Sequence, residues 1–449
     1  MTSAAPAAPR PLLRARDAVG IIVGIVIGAG IFRTPPLVAQ VTGDAGWTLA
    51  AWLAGGVVSL LGALCYAELA TAYPHTGGDY HFLTRAFGRN VSFLYAWARA
   101  TVINTGSIAL LSFVFGDYLT RLVDLGAHSP ALWAAAIIFA LTAINVASLE
   151  ASARTQNWLT LVEVAGLLVV CAAGVVASPH SAESSVWFAA TPSAGVLGLA
   201  MVFVLLTYGG WNEAAYLSAE LRGGARSIVL TLLISIVIIT ALYVASNVAL
   251  VAGLGFTALA HSTAAPADLV LRAFGPVAGD ALAGFVAIAT LTSINATMLV
   301  GARTNYALSG DWASLRILGG WNARRGVPTR ALLVQSAIAL ALVAFGAAQR
   351  DGFEAMVEFT APVFWGFLTL VGVALLRLRR RDGAAARPFR VPLYPVTPLL
   401  FIATCAFLCY SSITYAMSRS AIHVCLVVMA AGVVALVVAR QSRRAVPRD

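Results

Sequence analysis

The sequence predicts an all-α integral membrane protein of about twelve transmembrane helices. Three observations predict it: the chain is too apolar for a soluble domain, its apolar runs are long and do not alternate, and its basic residues fall into short connections. Of 449 residues, 60% are hydrophobic and 11% charged, and the mean hydropathy is +0.85. A soluble domain carries about a quarter charged residues, so lipid is the solvent this composition fits. A run of roughly 20 apolar residues crosses the hydrocarbon as a helix, and the chain has room for about twelve. Barrel strands would alternate apolar and polar residues, which these runs do not.

Apolar runs bounded by turn and charge signals place the segments in order. They cover 18–41, 47–72, 91–119, 131–149, 155–178, 194–219, 227–252, 277–308, 329–348, 353–378, 395–416 and 420–440. The expected organisation is a tail over 1–17, a five-helix unit over 18–178, a second over 194–378, two further helices over 395–440 and a tail over 441–449. All 29 basic residues are arginine. With the N-terminus in the cytoplasm, 23 arginines fall on that side, including Arg85, Arg89, Arg303, Arg316 and the cluster from Arg377 to Arg390. Only Arg121, Arg272, Arg350 and Arg419 fall in the outer connections. Positive residues concentrate on the cytoplasmic side of membrane proteins, so both termini are expected there, in a cell membrane. The net charge of +10 is explained by this distribution and implies no nucleic-acid partner. The first apolar segment is too long for a signal-peptide core, so no cleaved leader is expected. Cys65, Cys171, Cys405, Cys409 and Cys425 all lie within apolar runs and read as small buried hydrophobes. Neither a metal nor a cofactor is implied.

Two segments carry internal interruptions. The first reads Ile27-Gly28-Ala29-Gly30-Ile31-Phe32-Arg33-Thr34-Pro35-Pro36; the sixth reads Leu206-Thr207-Tyr208-Gly209-Gly210-Trp211-Asn212. Glycine-interrupted spans at matching positions of two halves point to a transporter's substrate site. Close helix packing through the Gly24 and Gly28 spacing is the plainer explanation. It accounts neither for the paired positions nor for the polar residues around them.

With these motifs the chain resembles the amino acid–polyamine–organocation (APC) superfamily, in particular its L-type amino acid transporter branch. The first-segment run is similar to that family's G-S-G-I-F motif. The connection Tyr73-Pro74-His75-Thr76-Gly77-Gly78-Asp79-Tyr80 is similar to its P-x-x-G-G-x-Y motif. Arg303-Thr304-Asn305-Tyr306-Ala307 and the run from Arg387 to Pro395 resemble two further motifs, and the likeness extends over about 18–400. The resemblance implies a LeuT-like 5+5 inverted repeat with discontinuous helices 1 and 6, working as a permease, either an exchanger (antiporter) or a proton-coupled symporter. Some L-type relatives need a single-span partner subunit; nothing in this sequence demands one.

A broken helix leaves amide N–H groups without intrahelical partners, and the half-helix starting there has a partially positive end suited to a carboxylate. By resemblance, the amides of Ala29, Gly30 and Ile31 hold the substrate carboxylate. The carbonyls of Val26, Leu206 and Gly209 receive the amine. Ile27, Gly28, Thr207, Tyr208, Gly210 and Asn212 complete the two breaks. Asn104, Leu206, Asn212, Ser293 and Trp365 are candidates for the side-chain pocket, with ordinary bundle packing as the alternative for each. Trp211 reads as a packing anchor near the gate.

Three residues depart from the family pattern. Ala29 stands where serine is frequent, and Leu206 where many members carry an aromatic gate. Glu163 stands where sodium-independent relatives often carry lysine. A carboxylate inside the membrane is costly unless paired or protonated. Glu163 therefore either binds a proton, or helps hold a cation with Thr292 and Ser293, or pairs with an arginine such as Arg99. Arg33, just past the first break, either attracts substrate carboxylates or pairs in an outer gate. The gate role is preferred, because a bare arginine beside the site would compete for the anion. Glu68, Glu150, Glu220 and Glu358 lie near segment ends and read as solvated termini or cytoplasmic pairs.

An amino acid substrate and surrounding lipid are the implied partners, with a polyamine or another organocation as the alternative substrate. A membrane enzyme is the rival from a different class, but the six histidines form no H-E-x-x-H or similar motif, and no phosphate-binding loop is present. A channel is a third reading; paired broken helices suit alternating access better than an open pore.

Overall fold

The computed structural model describes residues 15–75, 77–147, 152–178, 187–213, 224–322, 327–383, 387–417 and 421–444. The first segment does not form one helix. Helix α1 (Ala15–Val26) ends, Ile27 to Ala29 turn, and α2 (Gly30–Thr42) begins. Pro35 and Pro36 lie inside α2. Pro36 has no N–H to give the Phe32 carbonyl four residues back, and the Tyr118 hydroxyl donates to that carbonyl instead, at 2.8 Å. Asp44 then caps α3 (Ala45–Ala72) by accepting from the Trp47 amide. The same carboxylate accepts from the amides of Phe188 and Ala189 at 3.0 Å, which pins a distant connection onto this turn.

A short helix, α4 (Gly78–Phe87), leads into α5 (Arg89–Ala98). The chain runs on through one π-helical turn, Arg99–Ile103, into α6 (Asn104–Leu122). There follow α7 (Ser129–Ala147), α8 (Ser152–Ala177) and α9 (Ala194–Thr207). After the 3-10 turn Trp211–Glu213 come α10 (Gly224–Leu254) and the short α11 (Phe256–His261) and α12 (Ala265–Phe274). The long α13 (Pro276–Asp311) precedes α14 (Thr329–Ala347), α15 (Gly352–Arg381), α16 (Val396–Met417) and α17 (Ala421–Arg444). No strand forms among the described residues beyond a single bridge between Asn322 and Val327.

Nine described helical stretches are long and apolar enough to cross a membrane: α3, α5 through α6, α7, α10, α13, α14, α15, α16 and α17. The remaining expected segments fall short for stated reasons. The first is broken, the fifth is described as an apolar stretch over Glu163–Ala177, and the sixth stops as a helix at Thr207. Residues 214–219 of the expected sixth segment, both chain ends, Glu150, Glu220 and Arg419 lie outside the described residues. Helix α1 packs on α8 and α10, α2 on α9, α6 on α13 and α7, and α15 on α16 and α6.

Charges tie the arginine-rich face together. Glu68, near the end of α3, is fully buried rather than solvated. It accepts from Arg379 at 3.2 Å, Arg387 at 3.1 Å and the Val391 amide at 2.7 Å. One carboxylate thus binds α3 to the end of α15 and to the connection before α16. Beside it, Asp382 accepts from Arg381 and from the Tyr73 hydroxyl, and these bonds hold its carboxyl below the usual carboxylate range. Glu358 is no solvated terminus either: it lies two turns inside α15 and is 3% exposed.

Candidate functional site

The two interruptions face each other. A Cβ placed on Gly30 would meet Thr207 Cγ2 at 3.3 Å, so the start of α2 touches the end of α9. The Thr207 and Thr34 hydroxyls meet at 2.9 Å across the same gap. A side chain at Gly30 would need Thr207 to give by a few tenths of an ångström. At the second break Gly210 takes φ +112°, a conformation that side chains disfavour.

The breaks expose peptide groups as an anion site requires. Among the described residues, no backbone carbonyl accepts from the amides of Ala29, Gly30 or Ile31. Ala29 and Ile31 are buried, so lipid and bulk water do not serve them. The carbonyls differ from one another. Val26 already accepts from the Gly28 amide at 2.7 Å and from the Tyr243 hydroxyl at 2.7 Å. Leu206 accepts from the Gly209 amide at 3.1 Å. The Gly209 carbonyl accepts from no group among the described residues. Tyr243, from α10, also lies 3.2 Å from the Thr207 carbonyl and so stitches both breaks at one hydroxyl. Nothing in the pattern of α10 marked this tyrosine.

The side chains divide into two sets. Asn104, which opens α6 after the π turn, and Asn212 line one cavity together with Arg99 and Asp79. Gly209, Trp211, Asn212 and Trp365 line a second. Tyr208 turns away, donating to the Trp52 carbonyl at 3.0 Å and stacking edge-on to Tyr243. Trp211 packs edge-on against Tyr66 at 5.2 Å. Ile27 is buried in the core and Gly28 is half-buried at the turn. Ser293 lines neither cavity.

Glu163 projects from α8, is 2% exposed, and accepts from Thr292 Oγ1 of α13 at 3.3 Å. No ion pair joins it to a described residue, and Arg99 donates to Tyr95. Arg33 is 4% exposed. It donates to Asp117 of α6 at 3.0 Å and pairs with Asp351 at the start of α15. Its guanidinium also lies over the Phe353 ring. This cluster sits at the end of the bundle opposite the arginine-rich connections. Asp117 and Asp351 escaped the sequence reading because each resembles an ordinary polar helix end.

An apolar helical bundle with two interrupted helices meeting at bare peptide groups defines a class, the helical membrane transporters. The chain belongs to the amino acid permease family, whose profile matches residues 13–442. It is 31% identical over 395 residues to the b(0,+)-type amino acid transporter 1 of Mus musculus, covering 86% of this chain and 80% of that one. It is 30% identical over 397 residues to the cystine/glutamate transporter of Homo sapiens, covering 87% and 78%. It is 30% identical over 408 residues to the Asc-type amino acid transporter 1 of Mus musculus, covering 86% and 74%. This protein is therefore an amino acid permease of the L-type-like branch and not an enzyme.

Proposed function

We propose that the chain carries an amino acid across the cell membrane by alternating access, binding the zwitterion between the two helix breaks. The observation that carries this reading is the trio of amides at Ala29, Gly30 and Ile31, without backbone acceptors and at the positive end of α2. They take the carboxylate. The amine takes the Gly209 carbonyl first, since those of Val26 and Leu206 are already engaged. Two five-helix repeats, 18–178 and 194–378, rock about this site, with both termini in the cytoplasm as the arginine distribution supports. Arg33, Asp117 and Asp351 form the outer gate: a buried guanidinium bridging two helices is a contact that must break for that face to open.

Glu163 is the coupling group. A buried carboxylate with a hydroxyl as its partner among the described residues is stable when it carries a proton. Its helix, α8, packs on α1 and on α10, which carries the Tyr243 hydroxyl that holds both breaks. The relatives' names include more than one kind of amino acid, cystine and glutamate among them. The substrate of this chain is therefore read from its own pocket, which favours neutral amino acids.

Purified protein in proteoliposomes tests the reading. Uptake of a labelled amino acid is expected to saturate and to show counterflow; linear uptake without counterflow contradicts a carrier. Glu163→Gln removes the titratable group and keeps the shape. Accumulation driven by a pH gradient is expected to fall at least about tenfold, equivalent to about 1.4 kcal/mol, while exchange of labelled for unlabelled substrate persists. Unchanged gradient-driven uptake eliminates the coupling role.

A further inference from the structure

Where α5 begins, cations gather that the transport reading does not use. Helix α17 packs along α5: the Trp97 indole donates to the Val428 carbonyl at 2.9 Å, and a Cβ on Gly432 would meet the same ring at 2.5 Å. Further along α17, Arg440 donates to Asn90 Oδ1 at 3.0 Å. The Arg377 guanidinium of α15 lies 5.5 Å from the centre of the Phe87 ring. The 3-10 turn Ala313–Leu318 carries Arg316 and packs on α17. It follows Trp312, whose ring lies 5.3 Å from the Arg89 guanidinium. Arg316, Arg377 and Arg440 thus come from three separate elements to the stretch between Phe87 and Asn90, and all three are exposed.

The carboxylates that pair with arginines on this face, Glu68 and Asp382, are occupied by Arg379, Arg387, Arg85 and Arg381. No ion pair joins Arg316, Arg377 or Arg440 to a described residue. A ring beside Arg377 and an amide beside Arg440 carry no charge to offset theirs. Like charges gathered on one surface repel one another, and an anion among them relieves this. The adjoining surface is apolar. Val433, Val434, Val437 and Val438 are exposed along α17 on the way to Arg440, and Ile317, beside Arg316, is 68% exposed. Trp321 is exposed on the same connection, and tryptophan is enriched at the level of the lipid headgroups. A free anion would use the cations alone. A molecule charged at one end and hydrocarbon at the other uses both surfaces.

We propose that this seam binds an anionic phospholipid, with its phosphate on Arg316, Arg377 and Arg440 and its acyl chains along the valines of α17. None of these residues lines either cavity beside the breaks. A zwitterionic lipid brings the same phosphate together with its own cation, so it gains less from the three arginines.

Native mass spectrometry of the full chain, purified in detergent and stripped of lipid, counts bound lipid molecules and tests this. Dioleoyl phosphatidylglycerol is expected to bind at least about tenfold more tightly than dioleoyl phosphatidylcholine, since each arginine near anionic lipid contributes about fivefold. Arg377→Gln combined with Arg440→Gln is expected to remove most of that preference. Arg226→Gln combined with Arg390→Gln takes the same charge from exposed positions outside the seam and is expected to keep it. Arg440→Gln alone, at an exposed helix end, replaces the first pair if that pair does not fold, and is expected to lower the preference about fivefold. Equal binding of the two lipids by the unaltered protein overturns the proposal, whatever the variants do. An undiminished preference without the seam arginines overturns it too, as does an equal loss in both pairs, which would assign the attraction to overall charge. Inorganic phosphate at the lipid's concentration is expected not to displace phosphatidylglycerol. Displacement would make this a site for free phosphate and overturn the lipid assignment.

Discussion

Glu68→Ala is expected to destabilise the folded protein by about 3–5 kcal/mol, the cost of removing one partner from a buried ion pair. Glu68 is 0% exposed, and its two oxygens serve two guanidinium groups and one backbone amide. The Arg387 side chain is 3% exposed and Arg379 is 20% exposed, so the first is left buried with its charge uncompensated. Val391 also loses its acceptor. The result is a loosened joint between α3, the end of α15 and the segment before α16. Thermal unfolding in detergent micelles measures it. The midpoint is expected to fall well below that of the unaltered protein, with Glu68→Gln in between because the amide keeps one acceptor oxygen. An unchanged midpoint in Glu68→Ala would mean that the cluster contributes no net stability.

Gly210→Val is expected to abolish most uptake while leaving the protein folded. Gly210 sits at φ +112°, and a β-branched residue there is a backbone outlier. Strain of this kind costs about 1–3 kcal/mol, which is roughly 5- to 150-fold in any equilibrium that requires the break. The neighbouring Gly209 reinforces the argument, since a Cβ there would lie 2.9 Å from the Leu206 carbonyl oxygen. Saturable uptake should therefore drop by at least about fivefold, with a thermal midpoint shifted far less than in Glu68→Ala. Normal uptake would show that the sixth-segment break is not needed in its observed shape.

How far the sequence was legible depends on the range of the physics at each residue. The two breaks could be read because their cause is local: Gly28, Gly30, Gly209 and Gly210 sit in the interrupted stretches themselves. Glu163 could be read because a carboxylate within an apolar run stands out wherever it points. Its partner was half legible. Thr292 and Ser293 were expected to act with it together, but consecutive helix residues point about 100° apart, and Thr292 is the one that reaches Glu163. Arg33 was visible as a misplaced charge, whereas Asp117 and Asp351 lie 84 and 318 residues away in sequence. No local pattern links them. Glu68 was half legible: a cytoplasmic pair was one of its two readings, and it pairs with Arg379 and Arg387. A glutamate near a helix end is usually solvated, and only the return of the chain at Arg379, Arg387 and Val391 buries it. Tyr243 had no signal at all, being an aromatic residue in an apolar helix until its hydroxyl met the Val26 carbonyl.

The most direct measurement is an experimental density map of the protein with a bound amino acid, at a resolution that places the carboxylate. The expected map shows it within about 3 Å of the amides of Ala29, Gly30 and Ile31, with the amine at the Gly209 carbonyl. A carboxylate seated on Arg33 or Arg99, or first and sixth segments wound into continuous helices around the ligand, would contradict the account.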